Sequence, residues 1–159
     1  MQSEKNASDV EKVKRIDFVI WTICLSNWRL CEPAKIQLID ITVKSGIEVF
    51  APHRHDLYEY KNGRMTEDEY TSRYQEKMFY SRSEHKTIWD GLSVIPRAAF
   101  ACYCGVGKYC HRHLFAPLAK EHLESMGWGV ELRGEITKET LFENLPELPK
   151  DRIEREKKE

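Results

Sequence analysis

The stretch Ala98-Ala99-Phe100-Ala101-Cys102-Tyr103-Cys104-Gly105-Val106-Gly107-Lys108-Tyr109-Cys110-His111-Arg112-His113 decides the fold. It opens as a short apolar run, Ala98 to Cys104, that reads as a buried strand. A loop with two glycines follows, and the chain then enters a helical pattern that runs from Cys110 to Met126 and stops at Gly127. Pro117 lies within that pattern, where it removes one backbone donor. A strand that feeds a helix through a glycine turn is half of a crossover unit, so a mostly parallel sheet is expected.

Three further segments read as strands. Ile16–Leu25 and Ile36–Val43 are rich in isoleucine and valine, and Gly129–Arg133 alternates. Runs this apolar suit a sheet covered on both faces. Between them, Thr66-Glu67-Asp68-Glu69 forms a capping box after the turn residues Asn62-Gly63, and predicts a helix through about Met78. A second helix is expected over Ser83–Leu92. The resulting expectation is a single α/β domain, Rossmann-like, with a mostly parallel sheet of about four or five strands and helices on both faces. It spans residues 14–148, between a disordered lead-in at 1–13 and a charged tail at 149–159.

The bulk composition is that of an ordinary globular chain. It has 159 residues, 41% hydrophobic and 32% charged, with a net charge of −1. Such a balance gives no global field to recruit nucleic acid, so no nucleic-acid partner is indicated. The longest apolar run, Phe18 to Leu25, is too short to span a bilayer, and Met1–Lys14 lacks the apolar core of a secretion signal. These features point to a cytoplasmic protein with no membrane partner. Of its five cysteines, Cys102, Cys104 and Cys110 fall within nine residues. In such a compartment this clustering indicates metal, redox or nucleophile chemistry before disulfide staples.

The glycine turn is the expected functional site. In a parallel sheet, ligands bind beyond the carboxyl ends of the strands. Gly105 and Gly107 allow close backbone approach, the first amides of the following helix lack internal acceptors, and Lys108 and Arg112 add positive charge. Together these features describe a cradle for a phosphate-bearing small molecule. A tight loop whose glycines serve only the turn is the plainer alternative. Four roles compete for the cysteines. Cys110 at the helix start, or Cys104 at the strand end, is a candidate nucleophile with His111 as acid-base partner. Cys102, Cys104, Cys110 and His113 form a candidate zinc set, which requires the strand to end at Cys102. No other cofactor is expected. Cys104 and Cys110 could pair as redox partners. Finally, a cysteine can be a small core residue, the reading preferred for Cys102. His113 is expected to cap or pack rather than to face the loop.

A second constellation lies at the end of the Ile36–Val43 strand. Asp40 interrupts apolar residues and needs a partner, either structural or functional. Thr42, Lys44 and Ser45 then fall on the same rim as the cysteine loop, where Lys44 could reach the same anion. Phe50-Ala51-Pro52 and Tyr58-Glu59-Tyr60-Lys61 read either as a lid or as core.

These pieces, in order, resemble the uncharacterised DUF488 family. The matching elements are Thr22 and Ser26, Leu38-Ile39-Asp40-Ile41, Phe50-Ala51-Pro52, Tyr60-Lys61-Asn62-Gly63-Arg64, Glu67-Asp68-Glu69-Tyr70-Thr71 with Tyr74, and Cys102 to Arg112 with its Cys-His-Arg ending. The resemblance covers about Ile16 to Ile136 and implies a compact α/β domain without supplying an activity. Asp40-Ile41-Thr42 departs from the Asp-Val-Arg usual at that point, so an arginine contact in relatives would here come from Lys44. The site supports either an enzyme of the cysteine-dependent hydrolase or transferase type, a module that binds a nucleotide-like ligand without turnover, or a zinc-supported interaction domain. Oligomeric state is not readable from the chain.

Overall fold

The computed structural model describes residues 15–140. The lead-in at 1–13 and the tail at 149–159 lie outside them. Four strands, β1 (Phe18–Cys24), β2 (Gln37–Asp40), β3 (Arg97–Cys102) and β4 (Val130–Ile136), form one sheet in the order β2-β3-β1-β4, with every neighbouring pair parallel. β1 and β3 are buried at every position, as interior strands of a parallel sheet must be, whereas β2 and β4 at the edges are half-exposed.

The helices are α1 (Arg54–Lys61), α2 (Glu67–Glu84), α3 (Lys86–Asp90) and α4 (His111–Ser125). Thr66 caps α2 as expected, its hydroxyl accepting from the Glu69 amide at 3.1 Å. α2 continues past Met78 to Glu84 because its buried stripe, Tyr70, Tyr74, Met78 and Ser81, still has partners at its far end. There the Ser81 hydroxyl donates to the Val49 carbonyl at 2.7 Å and accepts from the Trp89 indole at 3.0 Å. The expected helix over Ser83–Leu92 is instead divided by His85 into the end of α2 and the short α3, followed by a 3-10 turn at Gly91–Val94. α4 runs unbroken with Pro117 inside it.

The core has two unequal halves. On one face, Phe18, Ile20, Ile39, Ile41, Ala98 and Phe100 meet Tyr74, Met78, Trp89, Phe115, Ala119 and Leu123 from α2, α3 and α4. On the other, Val19, Trp21, Ile23, Ala99, Ala101 and Ile136 pack against Cys31 and Ile36. Among the described residues this second face carries the 3-10 helix Leu25–Leu30 and its following turn, while α2, α3 and α4 lie on the first. The β1-to-β2 connection is the reason. It must step over β3, roughly 10 Å, and its twelve residues, 25–36, do so as a 3-10 helix and a turn.

β4 contains an irregularity that matters for the site. Ile20 pairs with Leu132 but Trp21 pairs with Gly134, so Arg133 is an extra residue, and Gly134 adopts φ 90°. A slip of one residue exchanges the faces of a strand. Past the bulge, Glu135 lies beside Thr22 on the α4 side of the sheet, and Ile136 lies beside Ile23 in the second core. Among the described residues, no helix is long and apolar enough to cross a membrane.

Candidate functional site: a cationic cavity at the carboxyl rim of β2 and β3

Arg112 is the organising side chain of the glycine turn. It is fully buried, at 0% exposure. Its Nε donates to Glu135 Oε1 at 2.8 Å, Nη1 to the Cys104 carbonyl at 2.9 Å and to Cys102 Sγ at 2.8 Å, and Nη2 to the Gly105 carbonyl at 3.0 Å. The Gly107 amide points at the second carboxylate oxygen of Glu135, 3.5 Å away. The cradle read from Gly105, Gly107 and Arg112 therefore faces an anion that the protein itself supplies. Arg112 fixes the loop to β4 through Glu135, and its charge is spent there. Lys108 lies with its side chain folded near Gly105 and, like the two glycines and Arg112, does not line the cavity described next.

The open space lies on the other side of Cys102. A cavity of about 450 Å³ is lined by Thr42, Val43 and Lys44 after β2, by Cys102, Tyr103 and Cys104 at the end of β3, by His111 at the start of α4, and by Arg54, Leu57 and Lys61 of α1. Its position beyond the carboxyl ends of two neighbouring strands is where parallel sheets hold ligands. Three cations, Lys44, Arg54 and Lys61, contribute to the lining, no carboxylate does, and none of the three is in an ion pair among the described residues. Of the residues singled out from the sequence, Thr42, Lys44, Cys102, Cys104 and His111 meet here, with Lys61 of the expected lid. Arg54 and Leu57 were missed. Their signal was the spacing 54, 57, 61, which places Arg54, Leu57 and Lys61 on one face once that segment is helical.

Asp40 and Ser45 build the floor rather than the lining. The Asp40 carboxylate accepts from the Thr42 amide at 2.9 Å and from the Ser45 hydroxyl, whose oxygen also lies 2.9 Å from the Tyr103 hydroxyl. This capture ends β2 at Asp40 instead of Val43 and swings Thr42 to Lys44 over the rim. Gly46 completes the turn, since a Cβ there would sit 2.4 Å from the Asp40 carbonyl oxygen and the Thr42 nitrogen. The expected lid is divided between core and cover. Phe50 is buried at 1% exposure, whereas α1 closes the cavity from above. The Tyr60 ring stacks on Tyr70 at 4.7 Å and meets Tyr109 of the glycine loop edge-on at 6.0 Å, tying α1 to both neighbours.

Beneath the cavity sit the sulfurs. β3 does end at Cys102, the condition set for a zinc site, but the sulfurs of Cys102 and Cys110 are bonded to each other as a disulfide, with Cys104 free. The pairing is thus not Cys104 with Cys110. Cys102, Cys110 and His111 are all buried, and one ligand atom from each lies within 4.8 Å of the others. Cys104 and His113 do not join them. His113 instead turns to Glu135, 3.9 Å away. Cys102 is buried, as preferred for it, but it faces Cys110 and Arg112 rather than an inert core.

His111 Nε2 lies 2.7 Å from the Ile41 carbonyl oxygen and Nδ1 lies 3.5 Å from Cys110 Sγ. A carbonyl only accepts, so Nε2 carries the proton and Nδ1 presents its lone pair to the sulfur. Burial, with the charges of Arg112, Lys61 and Lys77, pushes the His111 imidazole down to about 4, so the ring is neutral near pH 7.

Cysteine chemistry is correspondingly divided. Cys104 is half-buried and lines the cavity, while Cys31 is 2% exposed and burial pushes its thiol up to about 11. Iodoacetamide at pH 8 is expected to label Cys104 first and Cys31 last, read by peptide mass spectrometry. Because the unfolded Cys31 thiol ionises near 9.0, the folded chain holds the extra proton between that pH and about 11 and loses stability as pH rises through this window. Early labelling of Cys31 in the native protein would contradict its burial.

No protein-family model matches this sequence, and comparison with curated proteins and with solved structures found no match either.

Proposed function

We propose that this protein binds a small phosphate-bearing molecule, nucleotide-like in size, in the cavity at the carboxyl rim of β2 and β3. One observation carries the reading: Lys44, Arg54 and Lys61 line a space of about 450 Å³ that contains no carboxylate. Three like charges gathered around one cavity repel each other unless a guest neutralises them, and a phosphate group does so with several acceptor oxygens. Val43, Leu57 and Tyr103 give the same cavity apolar surface, suited to a base or another flat moiety. The reading concerns binding. Cys110, which has an imidazole beside it, is 2% exposed and bonded to Cys102, and the accessible thiol, Cys104, has no imidazole or carboxylate hydrogen-bonded to its sulfur among the described residues.

Thermal unfolding with AMP, ADP, ATP, pyrophosphate and adenosine tests this. A phosphate-bearing ligand at a hundred times its Kd is expected to add about 2.7 kcal/mol, with adenosine alone giving far less. Each charged contact is worth about 1.5–3 kcal/mol, so Lys44→Ala, Arg54→Ala and Lys61→Ala should each weaken binding by roughly 10- to 100-fold. Stabilisation by none of the phosphates, or binding unchanged in the triple variant, would refute the reading. Incubation of the bound ligand followed by a search for product then separates binding from turnover.

A further inference from the structure

We infer that Cys102 Sγ, Cys110 Sγ and His111 Nδ1 form a three-ligand site for a thiophilic divalent cation of the zinc class, with its fourth position open to the cavity. Two thiolates and one imidazole are soft and borderline ligands, which select zinc-like ions over magnesium or calcium. The three ligand atoms lie within 4.8 Å of one another, and all three residues are buried. Cys102 and His111 also line the cavity while Cys110 does not, so the open side of the set faces the ligand space.

The surroundings are those a metal ligand set needs. Metal-binding histidines hold their second nitrogen on a carbonyl or carboxylate, and His111 Nε2 lies 2.7 Å from the Ile41 carbonyl oxygen, which frees Nδ1 for the ion. Arg112 Nη1 donates to Cys102 Sγ at 2.8 Å, offsetting part of the charge of one thiolate. A divalent ion with two thiolates and a neutral imidazole leaves the cluster neutral overall. The two thiol protons leave to solvent on binding. In this structure the two sulfurs are bonded to each other, so the metal site is that of the pair once a thiol reductant has opened the bond. The Cα atoms of Cys102 and Cys110 are 7.6 Å apart, beyond the roughly 4.4–6.8 Å that a disulfide spans. Two thiolates on one ion, each bonded about 2.3 Å from the metal rather than to each other, accommodate the wider spacing.

This inference does not depend on the identity of the cavity's ligand, because its test uses the metal alone. The full-length protein, reduced, freed of metal with a chelator and kept under argon, is titrated with cobalt(II) and then zinc. A thiolate-to-cobalt charge-transfer band saturating at about one equivalent, and displaced by zinc, is expected. Cys102→Ser, Cys110→Ser and His111→Gln should each weaken zinc binding by more than the roughly 10- to 100-fold seen when only an outer-shell partner is lost. Cys104→Ser and His113→Gln should bind as the parent does. Circular dichroism of each variant separates lost ligation from lost folding, and the titration of the unmodified chain decides even if a variant fails to fold. Absence of a thiolate band in the reduced parent would overturn the inference. So would its loss in Cys104→Ser, or a parent purified without reductant whose mass is two hydrogens short and which stays metal-free after reduction.

Discussion

Arg112→Met is expected to lower the unfolding free energy by about 3–5 kcal/mol, the cost typical of breaking a buried ion pair from one side. The substitution leaves Glu135, whose side chain is 16% exposed, without its cation, and leaves the Cys104 and Gly105 carbonyls without a donor. Against the roughly 5–15 kcal/mol that holds a domain of this size together, the loss is large. Arg112→Lys should recover little, because one ammonium cannot reach the carboxylate and both carbonyls in the planar fork that guanidinium provides. The double variant Arg112→Met/Glu135→Gln should lose less than the sum of the single losses, since each removes the other's unpaired charge. Urea unfolding of the parent, Arg112→Met, Arg112→Lys, Glu135→Gln and the double variant measures this. A loss under about 1 kcal/mol for Arg112→Met would mean that water reaches the guanidinium and that the loop is not held by it.

The second large effect belongs to Phe115, the residue that seats α4 on the sheet. It is 0% exposed, and its ring contacts Phe50 at 4.6 Å, Phe100 at 4.7 Å and Trp89 at 5.4 Å. Phe115→Ala removes the ring that meets these three, each held by a different element, so the walls collapse only partly. A loss of about 3–5 kcal/mol follows from the transfer and cavity terms together. Phe115→Leu, which keeps most of the volume, should cost less than about 1.5 kcal/mol if the core repacks. The midpoint of urea unfolding should fall with an unchanged slope. A Phe115→Ala midpoint close to the parent's would show that α4 is not seated through this ring. Since α4 carries Cys110, His111 and Arg112 at its first turn, the same variant should also weaken ligand binding in the cavity.

The two halves of the glycine turn show how far local sequence reaches. That a strand precedes the glycines and a helix begins near Cys110 was legible, because apolar runs, glycines and helix stops are local signals; the strand was expected to run to Cys104 and ends at Cys102. So was the rim itself, with Thr42 and Lys44 expected on the same edge as Cys104 and His111, as the parallel topology requires. The assignment of Arg112 to the ligand was not secure. An arginine beside two glycines looks the same in sequence whether it waits for a phosphate or is satisfied by the protein. Its partner, Glu135, is 23 residues away on a strand whose register slips at Gly134. Read with strict alternation, Glu135 would face the opposite core; only the bulge turns it toward α4.

By itself, the sequence determined the alternation of strands and helices, the capped start of α2 at Thr66, and the rim that Thr42, Lys44, Cys104 and His111 share. These follow from patterns spanning a few residues, where backbone sterics and side-chain period act directly. The tertiary structure decided what each polar group is for. It spent Arg112 on Glu135 and Asp40 on its own turn, gathered Arg54 and Lys61 on one face of α1, and joined Cys110 to Cys102 rather than to Cys104. Charge and ligation depend on atoms within a few ångströms of each other, and the chain brings those atoms together only once the sheet has chosen its order and its register.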